Sequence, residues 1–401
     1  MEIKRKNKPL NRKKLFSKML TGLCVGLAFG VAVSVVVVLL TPKLRSALGL
    51  NEDNSVVIKV GGSQDTDNQK SIMDNAETAS DRDVLTNNQQ MNYSLYGVGN
   101  QAGKTLVGIN LADSGTGKMA YSRSGCGIII TQTTDEVLIL ATPNAVKGSE
   151  AAQVTFYGGQ TVAGQVYASD KETGILVIRV ALEDLTKYTR NTISIAEIGD
   201  STALNRGQYV IAVGCPLGEL RSTLVGELTS VRGKVQYRDR EQAILETDIL
   251  GKSYSEGFLI SQTGRVIGVL THDGDEAGES LVLKAIAISD LSDVLEKLCN
   301  KETIPCIGIK VSTISSDLSK IYGIPEGVYV DGASLNSPAV NAGIQKGDVV
   351  VSFGKDEIST AKQYTRLLMR TRPGETVRLK ILRYNGGEYS EMMVEVTVTE
   401  Q

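Results

Sequence analysis

Histidine and cysteine are scarce in this chain of 401 residues. His272 is the one histidine, and the five cysteines are Cys24, Cys126, Cys215, Cys299 and Cys306. They form no C-x-x-C pair and no Cys/His grouping, so no metal site and no cofactor are expected, and no disulfide framework either. Cys299 and Cys306 lie seven residues apart and are able to pair, but nothing in the spacing requires it. An excess of one charge is also missing: 43 Lys and Arg face 45 Asp and Glu, a formal net charge of −2. The first 18 residues hold eight Lys and Arg against Glu2, so the rest of the chain is mildly acidic. That balance argues against a nucleic-acid partner.

Long apolar runs are absent with one exception. Met19 to Leu40 (MLTGLCVGLAFGVAVSVVVVLL) holds 22 residues without a charge. As a helix rising about 1.5 Å per residue it covers roughly 33 Å, enough for a hydrocarbon core of about 30 Å. The run predicts a transmembrane helix over 19–41. The basic tail, 1–18, is then cytoplasmic and the main domains lie across the membrane. A cleaved signal peptide would have a shorter apolar region and a small-residue cleavage site. This run ends in VVVVLLTPK.

The stretch 42–103 is rich in Asn, Asp, Gln and Ser and poor in large apolar residues, and predicts a polar flexible stalk. Short β-rich runs follow over 104–288, among them SGCGIIITQ, EVLILAT, ILVIRVAL, QYVIAVG and RVIGVLTH, separated by turn residues. This spacing predicts an all-β sandwich or barrel, or two small barrels packed together. Ser289 to Cys299 reads as an amphipathic connector helix in a linker over 289–303, with Leu291, Val294, Leu295 and Leu298 as its stripe and Ser289 or Asp290 as its cap. A last domain spans 304–401, with strands and one clear helix near Thr360 to Arg370.

Two motifs carry no chemistry. Gly251-Lys252-Ser253 matches the end of a phosphate-binding loop, but the glycine required at 246 is Glu246 and no strand–loop–helix context surrounds it. The acidic segment from His272 to Ser280 lacks the ordered ligand spacing of a calcium loop and reads as a solvated turn.

Several stretches together resemble the HtrA (Deg) family of trypsin-like serine proteases: GCGIII near 126, SDKETGILVIRV (169–180), AEIGDSTALNRGQYVIAVGCPLG (196–218), ETDILGKSYSEGFLISQTGRVIGVL (246–270) and KAIAISDL. The last domain resembles that family's PDZ domain through ASLNSPAVNAGIQKGDVVVSFG (333–354) and PCIGIKV (305–311). The resemblance implies a mainly β fold: a trypsin-like double β-barrel followed by an α+β PDZ domain. It also implies a peptide-binding groove. Ile307, Gly308 and Ile309 would supply the carboxylate loop, Lys310 and Val311 the pairing strand, and Leu368 part of the lining. Cys306 stands where an aromatic residue is common.

The same resemblance locates a serine-protease triad, and this sequence departs from it. The histidine of a T-N-N-H-V-like stretch falls on Ala145, in Thr142-Pro143-Asn144-Ala145-Val146. The aspartate falls on Gly174. The nucleophile falls on Ser255, with Ser253 and Glu256 in place of two glycines of the oxyanion loop. Glu256 is expected to put a carboxylate beside the position of the oxyanion. His272 follows Ser255 by 17 residues, at a strand end, and reads as a loop-end residue. Lys252 is near in sequence, but a Ser–Lys dyad lacks a reason to form across that turn.

The expectation is a catalytically degenerate, membrane-anchored HtrA-like protein that binds peptide C-termini or unfolded proteins outside the cytoplasm of a bacterial cell. Two alternatives stand beside it. One is an active serine endopeptidase of envelope protein quality control. The other is a scaffolding subunit in a homo- or hetero-trimer, with Tyr93 and Tyr96 resembling the family's aromatic contact segment.

Overall fold

A computed structural model describes residues 81–111, 125–143, 145–146, 149–272 and 281–401. The predicted basic tail, membrane helix and first part of the stalk lie outside these residues. Among the described residues no helix is long and apolar enough to cross a membrane.

The end of the predicted stalk is ordered. Helix α1 (Asp81–Ala102) runs for 22 residues and packs on the strands that follow at 209–215 and 222–237. Its contacts come from Met91, Leu95, Val98 and Ala102, spaced four, three and four residues apart, with Leu95 and Ala102 buried. This is the spacing of one helical face. The expectation of a flexible stalk through residue 103 is corrected here, because a sparse apolar stripe suffices when a barrel wall receives it.

Two closed antiparallel barrels of six strands follow. The first is built from β1 (Leu106–Leu111), β2 (Gly125–Gln132), β3 (Glu136–Ala141), β4 (Ala151–Thr155), β5 (Thr161–Ser169) and β6 (Leu176–Ala181) in the order β1-β2-β3-β6-β5-β4. A short helix, α2 (Lys187–Thr192), leads towards the second barrel. That barrel uses β7 (Tyr209–Cys215), β8 (Ser222–Tyr237), β9 (Arg240–Leu250), β10 (Glu256–Ser261), β11 (Val266–Thr271) and β12 (Val282–Ala287) in the order β10-β11-β12-β9-β8-β7. The continuous apolar runs have a simple cause: strands at the seam are buried on both faces. In β7, Val210 and Ala212 fill the second barrel, while Ile211 and Val213 face the seam. In β2, Ile129 fills the first barrel, while Ile128 and Ile130 face the seam.

Helix α3 (Ile288–Cys299) closes the seam from one side. All four predicted stripe residues are buried, each contributing about 1.5–3 kcal/mol relative to exposure. The predicted cap differs. Ala287 occupies the cap position without a side-chain bond. Ser289 instead bonds Ser201, and the Asp290 carboxylate accepts from the Ala243 amide and from Lys362.

The C-terminal domain contains β13 (Pro305–Cys306), β14 (Ile309–Ile314), α4 (Ser316–Tyr322), β15 (Gly327–Ala333), α5 (Pro338–Asn341), β16 (Val349–Phe353), β17 (Asp356–Glu357), α6 (Ala361–Met369), β18 (Thr376–Asn385), β19 (Glu388–Thr397) and β20 (Thr399–Glu400). Its main sheet has the path β14-β15-β16-β18-β19. Helix α6 opens with a capping box between Thr360 and Gln363 and buries Tyr364 and Leu368 against the sheet. This leaves β14 with β15 on one edge and a groove towards α6 on the other.

Candidate functional site

Ser255 lies in the turn just before β10, with 2% of its surface exposed. Its hydroxyl oxygen accepts from the Lys252 amide at 2.7 Å. Its proton is offered to the carbonyl of Pro216 at 2.6 Å or of Lys252 at 2.7 Å. Each of these partners is a backbone group. The Ser255 amide donates to the Lys252 carbonyl at 2.9 Å, so the N–H that lines an oxyanion pocket in such folds is already used.

The three residues predicted to stand at triad positions share no hydrogen-bond relay. Ala145 is 3% exposed, and its methyl belongs to the core of the first barrel. Gly174 has φ +71°, and a Cβ there would meet Pro143 Cβ at 3.0 Å. The backbone there is one that glycine adopts freely and most side chains adopt only with strain, and Pro143 would have to give way by a few tenths of an ångström. His272 is exposed, and its Nε2 lies 3.0 Å from the Ser255 carbonyl oxygen. A carbonyl can only accept, so Nε2 carries a proton there and its hydrogen bond goes to the backbone. The Lys252 ammonium stands 5.6 Å from the centre of the Tyr254 ring, a cation–π arrangement.

Glu256 begins β10 and is 8% exposed. Its carboxylate crosses the seam and accepts from the Thr142 hydroxyl at 2.5 Å. Beside it Cys126 of the first barrel and Cys215 of the second meet as free thiols. Hydrogen bonding to Cys215, then burial, pushes the Cys126 thiol well above its usual range. Cys299 and Cys306 are free and buried as well. Burial raises Cys299 to about 12. Among the described residues no group of three or more His, Cys, Asp or Glu is placed to hold a metal ion.

The second site is better formed. Gly308, with φ +89°, turns the chain before β14 so that three consecutive amides face one point. Those of Ile307, Gly308 and Ile309 donate to the Asp239 carboxylate at 2.9, 2.8 and 3.2 Å. Asp239 lies at the tip of the β8–β9 hairpin. The Tyr364 hydroxyl of α6 donates to the same carboxylate at 2.7 Å. Burial, then the Asp239 charge, pushes the Tyr364 phenol well above its usual range, which keeps it a donor. Val311 and Leu368 are fully buried beneath this point with Ile307 and Ile309. Lys310 is exposed, as strand alternation requires.

The hairpin tip is tied to the first barrel too. Arg240 and Asp170 form an ion pair at 2.8 Å with their side chains 2% and 0% exposed. Burial acts to raise the Asp170 pKa, but the Arg240 charge and hydrogen bonds outweigh it and hold the carboxyl below its ordinary value. Arg238 forms a second ion pair with Glu172. Reading the sequence alone missed Asp239, Arg240, Asp170 and Tyr364. The available signal was a charged tip, Arg238-Asp239-Arg240-Glu241, between two β-rich runs.

Residues 125–269 match the trypsin-like peptidase domain and residues 305–398 the PDZ domain. The fold is therefore a trypsin-like double barrel with a PDZ domain behind it. Among curated proteins, a serine protease Do-like HtrA of Lactobacillus helveticus is 27% identical over 68% of this chain and 68% of its own length. The protein of the same name from Bacillus subtilis is 26% identical over 73% of this chain and 67% of its own. A probable periplasmic serine endoprotease DegP-like of Hahella chejuensis is 26% identical over 70% of this chain and 58% of its own. Two solved structures share the fold: HtrA-type protease AlgW with decapeptide (TM-score 0.54, 20% identity, 77% of this chain and 98% of that one) and with tripeptide (0.54, 22%, 77% and 97%). The chain belongs to the HtrA-like family.

Proposed function

We propose that this HtrA-like protein recognises peptide C-termini, or unfolded chains that display them, through its PDZ groove and does not hydrolyse them. The observation that carries the reading is the contrast between its two sites. The Ser255 hydroxyl is engaged by backbone groups, with Ala145 and Gly174 where a base and its orienting carboxylate would stand. The amides of Ile307, Gly308 and Ile309 converge on a carboxylate. Three N–H donors around one anion suit capture of a chain terminus, and β14 offers an edge for an added strand. Two structures of the same fold, HtrA-type protease AlgW with decapeptide and with tripeptide, support a peptide as the class of ligand. In this reading residues 19–41 anchor the protein and place both domains outside the cytoplasm. The DegP-like relative named as periplasmic supports that side of the membrane.

Loss of a triad costs around a millionfold in turnover, so casein should remain intact with the full chain, and a fluorophosphonate probe should leave Ser255 unlabelled. Hydrolysis that vanishes in Ser255→Ala would overturn the reading and favour an active endopeptidase. Binding of C-terminal peptides should be lost in Gly308→Val, because a Cβ at 308 would meet Ser337 Cβ at 2.5 Å.

A scaffolding role has one observation of its own. Tyr93 and Tyr96 on α1 are 80% and 47% exposed, which suits a contact between subunits. Co-purification with an active relative, lost when both are changed to Ser, would favour it.

A further inference from the structure

We propose that the β8–β9 hairpin is a built-in competitor for the peptide: Asp239 occupies the carboxylate loop, and a chain terminus enters by displacing it. The inference rests on the peptide-binding reading above.

The hairpin tip meets the carboxylate loop and β14 in the manner of an added strand. The Asp239 carboxylate takes the three loop amides. Its backbone amide donates to the Ile309 carbonyl at 2.6 Å. Arg238 pairs antiparallel with Lys310 of β14, the direction and edge an added strand would use. The Asp239 carbonyl accepts from the Thr365 hydroxyl of α6 at 2.9 Å. Further along, the Glu241 carboxylate accepts from the Thr313 hydroxyl at 2.9 Å. The hairpin thus meets the domain from the carboxylate loop to Thr313, near the end of β14.

The turn also bears the mark of a selected side chain. Asp239 is the second of two turn residues and has φ +60°, a conformation natural to glycine and tolerated by Asp. A glycine would relax the turn but leave three amides and a buried phenol without a carboxylate. Asp239 itself is 2% exposed, so no second anion can share the loop.

An intramolecular ligand acts at a high effective concentration, and the apparent affinity for an outside ligand falls by the fraction of chains whose loop is free. The expected ligand is a chain with a free α-carboxylate and an apolar last residue, since the pocket floor is made by Ile307, Ile309, Val311 and Leu368.

The test uses the full chain in detergent micelles and a pool of fluorescein-labelled decapeptides randomised over the last four positions, with free or amidated C-termini. Anisotropy titrations compare wild type with Asp239→Gly, which suits the backbone, and Asp239→Asn, which keeps the shape without the charge. The expected result is at least tenfold tighter binding of the free-carboxylate pool by Asp239→Gly, an intermediate gain for Asp239→Asn, and no binding of the amidated pool. Equal affinity of wild type and both variants overturns the inference and leaves the peptide reading standing. Absence of binding by all three removes the peptide reading, and the inference with it. Should circular dichroism show Asp239→Gly unfolded, Asp239→Asn and Tyr364→Phe decide by the same gain or its absence.

Discussion

Asp170→Asn isolates one interaction that ties the loop bearing Gly174 to the hairpin tip. Asp170 and Arg240 are buried together, and both Arg240 bonds to the carboxylate run through Nη2 at 2.8 Å. Nη1 has no hydrogen-bond partner among the described residues. Asparagine keeps the size of the side chain and one oxygen for the Thr173 hydroxyl, now 2.6 Å away, so the local turn survives. It loses the charge that compensates the guanidinium. Breaking a buried pair from one side costs about 3–5 kcal/mol, because the remaining ion has lost its water and its partner. With 2–4 °C per kcal/mol for a domain of 150–250 residues, the melting temperature of the barrel domain should fall by roughly 6–20 °C. Far-UV circular dichroism is the suitable probe, since the chain has no tryptophan. The double change Asp170→Asn with Arg240→Met should recover most of the loss, since it removes the uncompensated guanidinium and keeps the oxygen that Thr173 uses. The depressed Asp170 pKa sets the pH behaviour. Its contribution is complete above the ordinary value of 3.8 and is lost as pH falls below it, through the lower folded value. The variant should therefore show a weaker acid dependence than wild type. A single variant within 1 kcal/mol of wild type would refute the account of the pair.

Gly174→Ala should destabilise by about 1–2 kcal/mol through the left-handed backbone alone, read from urea unfolding, while an unchanged midpoint would show the loop free to rearrange. The combination Ala145→His with Gly174→Asp should not create proteolysis, because the Ser255 hydroxyl and amide stay bonded to backbone carbonyls, and casein cleavage by this variant would refute that account. The native chain should resist iodoacetamide at pH 8 on Cys126, Cys215, Cys299 and Cys306, with all four labelled in denaturant. Burial and raised thiol pKa values keep the thiolate fraction low at Cys126, Cys299 and Cys306. Peptide mapping by mass spectrometry checks this, and rapid labelling of any of these three in the native state would contradict the packing described. Thr360→Ala should cost about 1 kcal/mol by removing the cap of α6, and a loss below 0.3 kcal/mol would place the burden of that helix on Tyr364 and Leu368.

Much of the fold was legible because burial on both faces writes apolar runs directly into a strand, as in Ile128-Ile129-Ile130 and Val210 to Val213. The stripe of α3 was equally legible, since Leu291, Val294, Leu295 and Leu298 meet one neighbour on one side. Helix α1 was not, because Met91, Leu95, Val98 and Ala102 are diluted by polar residues. Their spacing gains meaning from the barrel wall that receives them.

At the sites the division is sharper. The residues at positions 145, 174 and 255 are matters of sequence, and so is the presence of one histidine. The amide-rich turn at Ile307, Gly308 and Ile309 is also local, because Gly308 alone permits its backbone. What tertiary structure decided is which groups these residues meet. Ser255 faces the Pro216 carbonyl 39 residues away, and Asp239 reaches amides 68, 69 and 70 residues away. Hydrogen bonds act over about 3 Å, so such partners are chosen by the packing of whole domains. The order of residues along the chain carries almost no record of that choice.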